Sequence, residues 1–317
     1  MIGRRTVAGF RALTVARGGP EGLEATFVPD AGMVGCSLRH RGEELLGQRG
    51  GLRSYVEKLS TMGIPFLHPW ANRLAHARFS VAGREVVIPS GPPVHLDSGG
   101  LPIHGLLAAA RGWRVERHEA SADGGTLAAS FDFAADDQLL EIFPFPHEAR
   151  IEVGLSGARL TIATTIRASG DVAVPVSFGY HPYLRIPGVP RSDWLVRIPV
   201  SERLPLDSRG LPTGGREAVE VAAGPLGSRT FDDAYVAPPP EAPFVLAGGG
   251  RQLQLRLESG YRFAQVYAPA GDDLLAYEPM TAPTNALVAG GPELPLVQPG
   301  EQYEASFSIT VAEEPGS

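Results

Sequence analysis

What most constrains this chain is a two-residue rhythm of apolar side chains, carried in short runs that end in turn-forming residues. In "RIEVGLSGARLTIATTIRA", Ile151, Val153 and Leu155 alternate with their neighbours, Ser156-Gly157-Ala158 turns the chain, and Leu160, Ile162, Thr164 and Ile166 alternate back. Successive side chains of a strand point to opposite faces, so this pattern predicts a hairpin with one buried face. "RQLQLRLESGYRFAQVYAP" has the same form: Leu253, Leu255 and Leu257 precede a Ser259-Gly260 turn, and Phe263, Gln265 and Tyr267 follow it, predicting a second hairpin. "RFSVAGREVVIPSG" predicts a third around Ala82-Gly83. No segment of helical length carries a 3.6-residue period. The 39 glycines and 29 prolines suit many turns and strand edges. Together these features predict an all-β fold, a large antiparallel β-sandwich of one domain over residues 1–317. The Pro- and Gly-rich stretch that begins at Val236 is not read as a linker, because the strand-like runs on its two sides look alike.

Composition narrows the function. With 43% hydrophobic and 20% charged residues, the chain can form a sizeable core. Its net charge of −7 and its scattered arginines (Arg4, Arg114, Arg150, Arg216, Arg262) leave no footprint for nucleic acid. Cys36 is the only cysteine, which excludes an intrachain disulfide and a cysteine-based metal site. Arg11 and Arg17 interrupt what would be the apolar core of a signal peptide, and no run approaches ~18 apolar residues, so a cytoplasmic protein without a membrane partner is expected. Phosphate-binding glycine loops, His-Glu-x-x-His and a nucleophile elbow are all missing from the sequence.

Five segments carry residues capable of chemistry. In "PVSFGYHPYL", Pro182 pushes His181 to an extended backbone, and Phe178, Tyr180 and Tyr183 favour a half-buried strand. An isolated histidine there is more often packed than catalytic. In "LLAYEPMTAPTNAL", Pro279 does the same to Glu278, a carboxylate at a strand end that faces either solvent or a cleft. Asn72 and Arg73 interrupt the apolar run "GIPFLHPWANRLAHARF"; an amide and a guanidinium can donate several fixed hydrogen bonds to hydroxyl oxygens, or the arginine can simply pair with a local carboxylate. His68 and His76 in the same run read as structural. His104 precedes Gly105, a residue that permits a tight turn or close approach. Asp232 and Asp233 lie between Phe231 and Tyr235, a pairing of carboxylate with aromatic that suits a sugar's hydroxyl rim and apolar faces, or else a turn.

Taken in order, Ala71-Asn72-Arg73-Leu74, Ile103-His104-Gly105, His181-Pro182-Tyr183-Leu184, Phe231-Asp232-Asp233, Tyr277-Glu278-Pro279 and the closing "QPGEQYEASFSI" resemble the aldose 1-epimerase (galactose mutarotase) family, from about residue 20 to residue 312. The resemblance implies a large antiparallel β-sandwich and a cofactor-independent, metal-free isomerase that interconverts the anomers of a free hexose or related aldose. It implies Glu278 as general base and His181 as general acid, on opposite sides of the sugar ring, with Arg73, His104, Asp232 and Asn72 holding the sugar. The chain departs from the galactose-acting pattern at Gly179-Tyr180 and Leu184-Arg185, where that pattern has asparagines, and at Pro279-Met280. Two alternatives stay open: a hexose-6-phosphate 1-epimerase using Arg73, Arg78 and Arg185 as phosphate-binding cations, and a non-catalytic carbohydrate-binding or sensing domain. A monomer or homodimer is expected.

Overall fold

The strand pair with the cleanest alternation sits inside the largest sheet. In the computed structural model, which describes residues 1–19 and 22–313, His147–Ser156 and Arg159–Ala168 pair antiparallel from His147↔Ala168 to Ser156↔Arg159. Alternate residues of both strands are buried. They belong to a nine-stranded sheet. The last strand in sequence, Gln302–Glu313, is inserted between Arg159–Ala168 and Arg251–Ser259 and so joins the two halves of that sheet.

An eight-stranded sheet packs against it to make a β-sandwich. Tyr277 of the second sheet stacks on Phe244 of the first and donates to the Val245 carbonyl at 2.6 Å, and the Tyr180 hydroxyl meets Thr164 Oγ1 at 2.7 Å. The N-terminal strands between Ile2 and Glu44 form a five-stranded sheet whose Phe10–Ala16 strand packs on Gly124–Asp132. One hydrophobic cluster runs from Leu13 to Val311 and takes in side chains from all three sheets. Among the described residues no helix is long and apolar enough to cross a membrane.

Two of the three expected hairpins are present. Arg78–Val81 and Arg84–Val87 pair around Ala82 and Gly83, both at positive φ, the turn geometry that matches strand twist. The hairpin expected across Ser259-Gly260 does not form: Arg251–Ser259 lies in the nine-stranded sheet and Phe263–Ala268 in the eight-stranded one. The chain crosses between layers here. Gly260, at φ +73°, passes so close to the neighbouring strand that a Cβ would stand 2.3 Å from the Glu304 carbonyl oxygen, and Tyr261 is buried beside Phe178 and Phe307. The burial patterns differ accordingly: Arg251–Ser259 alternates, whereas Phe263–Ala268 is covered on both faces.

His68 is confirmed as a packed residue. His147 donates from Nδ1 to the Phe145 carbonyl (2.6 Å), which leaves its Nε2 to accept from His68 Nε2 at 2.7 Å, and its ring stacks on Phe133. Burial holds both imidazoles below their usual range, His147 at about 4, with His147 itself further lowering His68. The unfolded chain therefore takes up more protons than the folded one below about pH 6.5. Stability should be full near pH 7 and should fall as pH drops from about 6.5 toward 4, with His147 alone contributing on the order of 3 kcal/mol. Chemical denaturation at pH 7 and at pH 4.5 checks this; equal midpoints would contradict it.

Candidate active site

Three neighbouring strands form the floor of the site. Phe231–Val236, Phe263–Ala268 and Leu275–Met280 lie side by side, with Asp232 opposite Tyr267 and Gln265 opposite Glu278. Strand alternation puts Asp232, Gln265, Tyr267 and Glu278 on one face, away from the interior that receives Tyr277. Gln265 Nε2 donates to Asp232 Oδ1 at 2.7 Å.

His181 reaches this face by register. Gly179 pairs with Met280, and Tyr183 with Ala276. Counting inward from both pairs places residue 181 opposite residue 278. Pro182 has no N–H for the ladder, so pairing lapses between the two short ladders and the imidazole is held against the carboxylate. His181 Nε2 lies 3.1 Å from Glu278 Oε1, both residues are buried, and the His181 ring stacks on Tyr183 with centroids 4.1 Å apart. The two groups therefore touch, instead of standing on opposite sides of the cleft as expected. Gly179 makes the close strand approach possible, since a Cβ there would lie 2.5 Å from the Pro279 carbonyl oxygen.

Two loops make the opposite wall. Residues 72–74 run against 102–104: His104 N donates to the Asn72 carbonyl (3.0 Å) and Leu74 N to the Pro102 carbonyl (2.9 Å). Asn72 (φ 57°), His104 (φ 63°) and Gly105 (φ 75°) are all left-handed. Arg73 Nε donates to Asp97 Oδ2 at 2.7 Å, and Nη1 to Asn72 Oδ1 at 3.2 Å. The other Asp97 oxygen accepts from the Gly99 and Leu101 N–H groups. Partial burial opposes ionisation of Asp97, but its bonds from Leu101, Arg73 and Gly99 outweigh that and hold its carboxyl below the usual range.

The six predicted residues, Asn72, Arg73, His104, His181, Asp232 and Glu278, all line one cleft of about 180 Å³. Arg49, Asp97 and Tyr267 line it as well, and sequence reasoning singled out none of these. Gln265, an amide in an otherwise apolar strand, was the most detectable of the residues missed. The phosphate-binding set suggested by the sequence does not assemble: Arg73 is tied to Asp97, and exposed Arg78 pairs with Glu85. Among the described residues no cluster of three or more His, Cys, Asp or Glu is arranged to hold a metal ion.

Electrostatics favour neutral forms of the central pair. Burial, and then the nearby charge of Asp232, raise the Glu278 pKa well above the usual carboxylate value, against an opposing effect of Arg73. Burial, then His104 and Arg49, lower that of His181. His104 is pushed down to about 3 by burial and by the cations around it, so it is a neutral hydrogen-bonding group at pH 7. A buried acid–base pair with one transferable proton, ringed by fixed donors and acceptors, is suited to moving protons on a small polyhydroxylated molecule.

The family model described as Aldose 1-epimerase matches residues 31–310. The chain belongs to the aldose 1-epimerase family. This aldose 1-epimerase family chain is 26% identical, over 253 residues and 77% of each chain, to the uncharacterized protein YihR of Escherichia coli (strain K12). Among solved structures, it superposes on a galactose mutarotase-like protein from Clostridium acetobutylicum with a TM-score of 0.86, at 18% identity over 99% of both chains. With the galactose 1-epimerase of Lactobacillus acidophilus NCFM the TM-score is 0.76, at 13% identity over 99% of this chain and 98% of that one. At these identities the two superpositions describe a shared fold.

The contact between the two loops gives a direct test. A Cβ on Gly105 would stand 2.2 Å from the His68 carbonyl oxygen, at a backbone angle that side chains rarely adopt. Gly105→Ala should destabilise the protein by at least about 2 kcal/mol. A denaturation midpoint equal to that of the unsubstituted protein would show that the loops can separate freely.

Proposed function

We propose that this protein is an aldose 1-epimerase that opens and recloses the ring of an aldose by general acid–base catalysis. The observation that carries the reading is the buried His181–Glu278 contact at 3.1 Å in a small cleft lined by Arg73, His104 and Asp232. Membership of the family supports it.

The chemistry follows from where the two reacting oxygens sit. The anomeric hydroxyl and the ring oxygen are bonded to the same carbon, so an acid and a base that are neighbours can serve both. The reaction starts from the ionised tautomer of the pair, with the one proton on His181: the Glu278 carboxylate takes the proton of the anomeric hydroxyl as C1=O1 forms. The C1–O5 bond breaks, its electron pair stays on O5, and O5 takes a proton from His181. Glu278 is then protonated and His181 neutral, the forms that burial favours. Rotation about C1–C2 presents the other face of the aldehyde. O5 attacks C1 and returns its proton to His181, while the carbonyl oxygen recovers the proton held by Glu278, and the other anomer leaves with the protein unchanged. Throughout, the pair carries one proton, on His181 before ring opening and on Glu278 after it, and its titration belongs to the couple instead of to either residue. Arg73, His104, Asp232 and Asn72 hold the hydroxyls and ring oxygen so that C1 stays over the pair.

Glu278→Gln and His181→Asn should each lower kcat by roughly 10²–10⁴-fold. The double variant should lose little more than the worse single one, because the two groups act as a unit. Exchange NMR or polarimetry on a freshly dissolved single anomer measures this. Unchanged rates in both single variants would remove the assignment.

A further inference from the structure

An imidazole that moves protons is commonly aimed by a second hydrogen bond: the ring nitrogen facing away from the reaction donates to a carbonyl or carboxylate, which fixes the ring about its Cβ–Cγ bond. His181 lacks this support. Its Nε2 meets Glu278, and among the described residues no other residue bonds to its buried Nδ1. The ring must therefore be aimed by what lies against its faces and edges. His104 and Tyr267 meet it edge-on, at 84° and 74°, with centroids 5.8 and 5.5 Å away. Of the three neighbouring rings only Tyr183 lies flat against it, 20° from parallel and 4.1 Å away. An imidazole stacked in this way cannot turn without driving an edge into the tyrosine, provided that the tyrosine stays in place.

Tyr183 is held at both ends. Its main chain pairs with Ala276 on one side; on the other, its N donates to the Gly63 carbonyl at 2.9 Å and its carbonyl accepts from Gly47 N at 2.8 Å. At the far end of the ring the hydroxyl lies 2.6 Å from Thr61 Oγ1 and accepts from Arg49 Nη1 at 3.2 Å. Tyr183 and Thr61 are both buried. The same run of chain serves His181 directly. Leu67 and Phe66 pair with Gly179 and Tyr180, the Pro65 carbonyl accepts from His181 N at 3.4 Å, and the Gly63 carbonyl accepts from Tyr183 N. Residues 61–67 thus fix the main chain of His181 and, through Tyr183, the plane of its ring.

We propose that Tyr183, its hydroxyl tethered by Thr61 and Arg49, is the positioning residue that keeps the His181 ring turned with Nε2 toward Glu278. This deepens the epimerase reading and rests on it. A stack has a chemical advantage over the usual second hydrogen bond. A carboxylate or carbonyl at Nδ1 would favour the charged imidazolium. A flat aromatic neighbour fixes direction without an acceptor at Nδ1, so the one proton of the couple can pass from His181 to Glu278 and back.

The test follows anomer exchange of glucose and galactose by NMR in the unsubstituted protein, Tyr183→Leu, Tyr183→Phe, Thr61→Val and the Tyr183→Phe/Thr61→Val double variant. Tyr183→Leu should lower kcat by roughly 10–100-fold with KM little changed, because a misdirected acid slows turnover without loosening the sugar. Tyr183→Phe keeps the stack and loses the tether, so it should lower kcat only by roughly 2–10-fold, as should Thr61→Val. The double variant should fall little below the worse single one, since both changes break the same tether. The His181 ring-proton resonances, identified by their loss in His181→Asn, should stand upfield beneath the Tyr183 ring. Both rings remain in Thr61→Val, yet the resonances should move downfield as the stack loosens. An unchanged kcat in Tyr183→Leu, a loss confined to KM, or resonances that Thr61→Val leaves in place overturns this inference and leaves the epimerase reading standing. Should Tyr183→Leu fail to fold, Tyr183→Phe and Thr61→Val decide the matter, and effects that multiply in the double variant overturn the inference. If the unsubstituted protein turns over neither sugar, the epimerase reading loses its support, and the resonance shift in Thr61→Val decides alone whether Tyr183 holds the ring.

Discussion

The site depends on one register, that of residues 179–184 against Leu275–Met280. Pairs on both sides, Gly179 with Met280 and Tyr183 with Ala276, set His181 across from Glu278. A slip of one residue would turn Glu278 toward the interior now occupied by Tyr277 and would bury a carboxylate among aromatic rings. The same register gives a reason why His181 and Glu278 both precede proline. Each proline keeps its neighbour extended, and Pro182 removes a ladder N–H where the imidazole must meet the carboxylate instead of packing in a continuous sheet. His181 and Glu278 are held together by the main-chain pairing on either side of them.

Burial has a second consequence. Buried polar atoms nearly always find partners, yet Glu278 Oε2, Gln265 Oε1 and His104 Nδ1 have none among the described residues. Each such atom costs roughly 1–3 kcal/mol. These three belong to residues in or beside the cleft, while Asp97, Arg73 and the Asp232 oxygen that faces Gln265 are tied down. The groups that hold the site's shape are satisfied, while atoms of Glu278, Gln265 and His104 are left with bonds to make. A ligand rich in hydroxyls can complete them.

Much of this was legible in the sequence, for identifiable reasons. Period-two burial is a local signal, so the pair around Gly157 and the turn at Ala82-Gly83 could be read directly. The Ser259-Gly260 turn could not, because alternation reports that a face is buried without saying which strand lies alongside; the crossing between layers shows only in the close approach of Gly260 to Glu304 and in the two-sided burial of Phe263–Ala268. Each motif residue was ambiguous alone; what made the set stand out was its order along the chain, which resembles the aldose 1-epimerase family. Their direct contact was hidden, since it depends on pairing between residues about a hundred apart. Asp97, in a loop of glycine and serine, looked like any turn former, and Arg49 like any solvated loop arginine.

The two walls of the cleft are made differently, and this divides their roles. The floor is sheet, with Asp232, Glu278 and His181 fixed by ladders. The facing wall and the mouth are loops, and three of their polar residues, Arg49, Asn72 and His104, sit on left-handed backbone that ordinary residues avoid. Such strain persists only where neighbours over-determine it. Here residues 72–74 and 102–104 bond to each other, Leu106 and Leu107 bond to the His68 carbonyl, and the Asn285 side chain accepts from Ala75 N. Loops tolerate change better than the sheet that supports them. Substitutions in the loop around Arg49 can therefore reshape the mouth of the cleft without moving His181 or Glu278, whose positions the sheet sets.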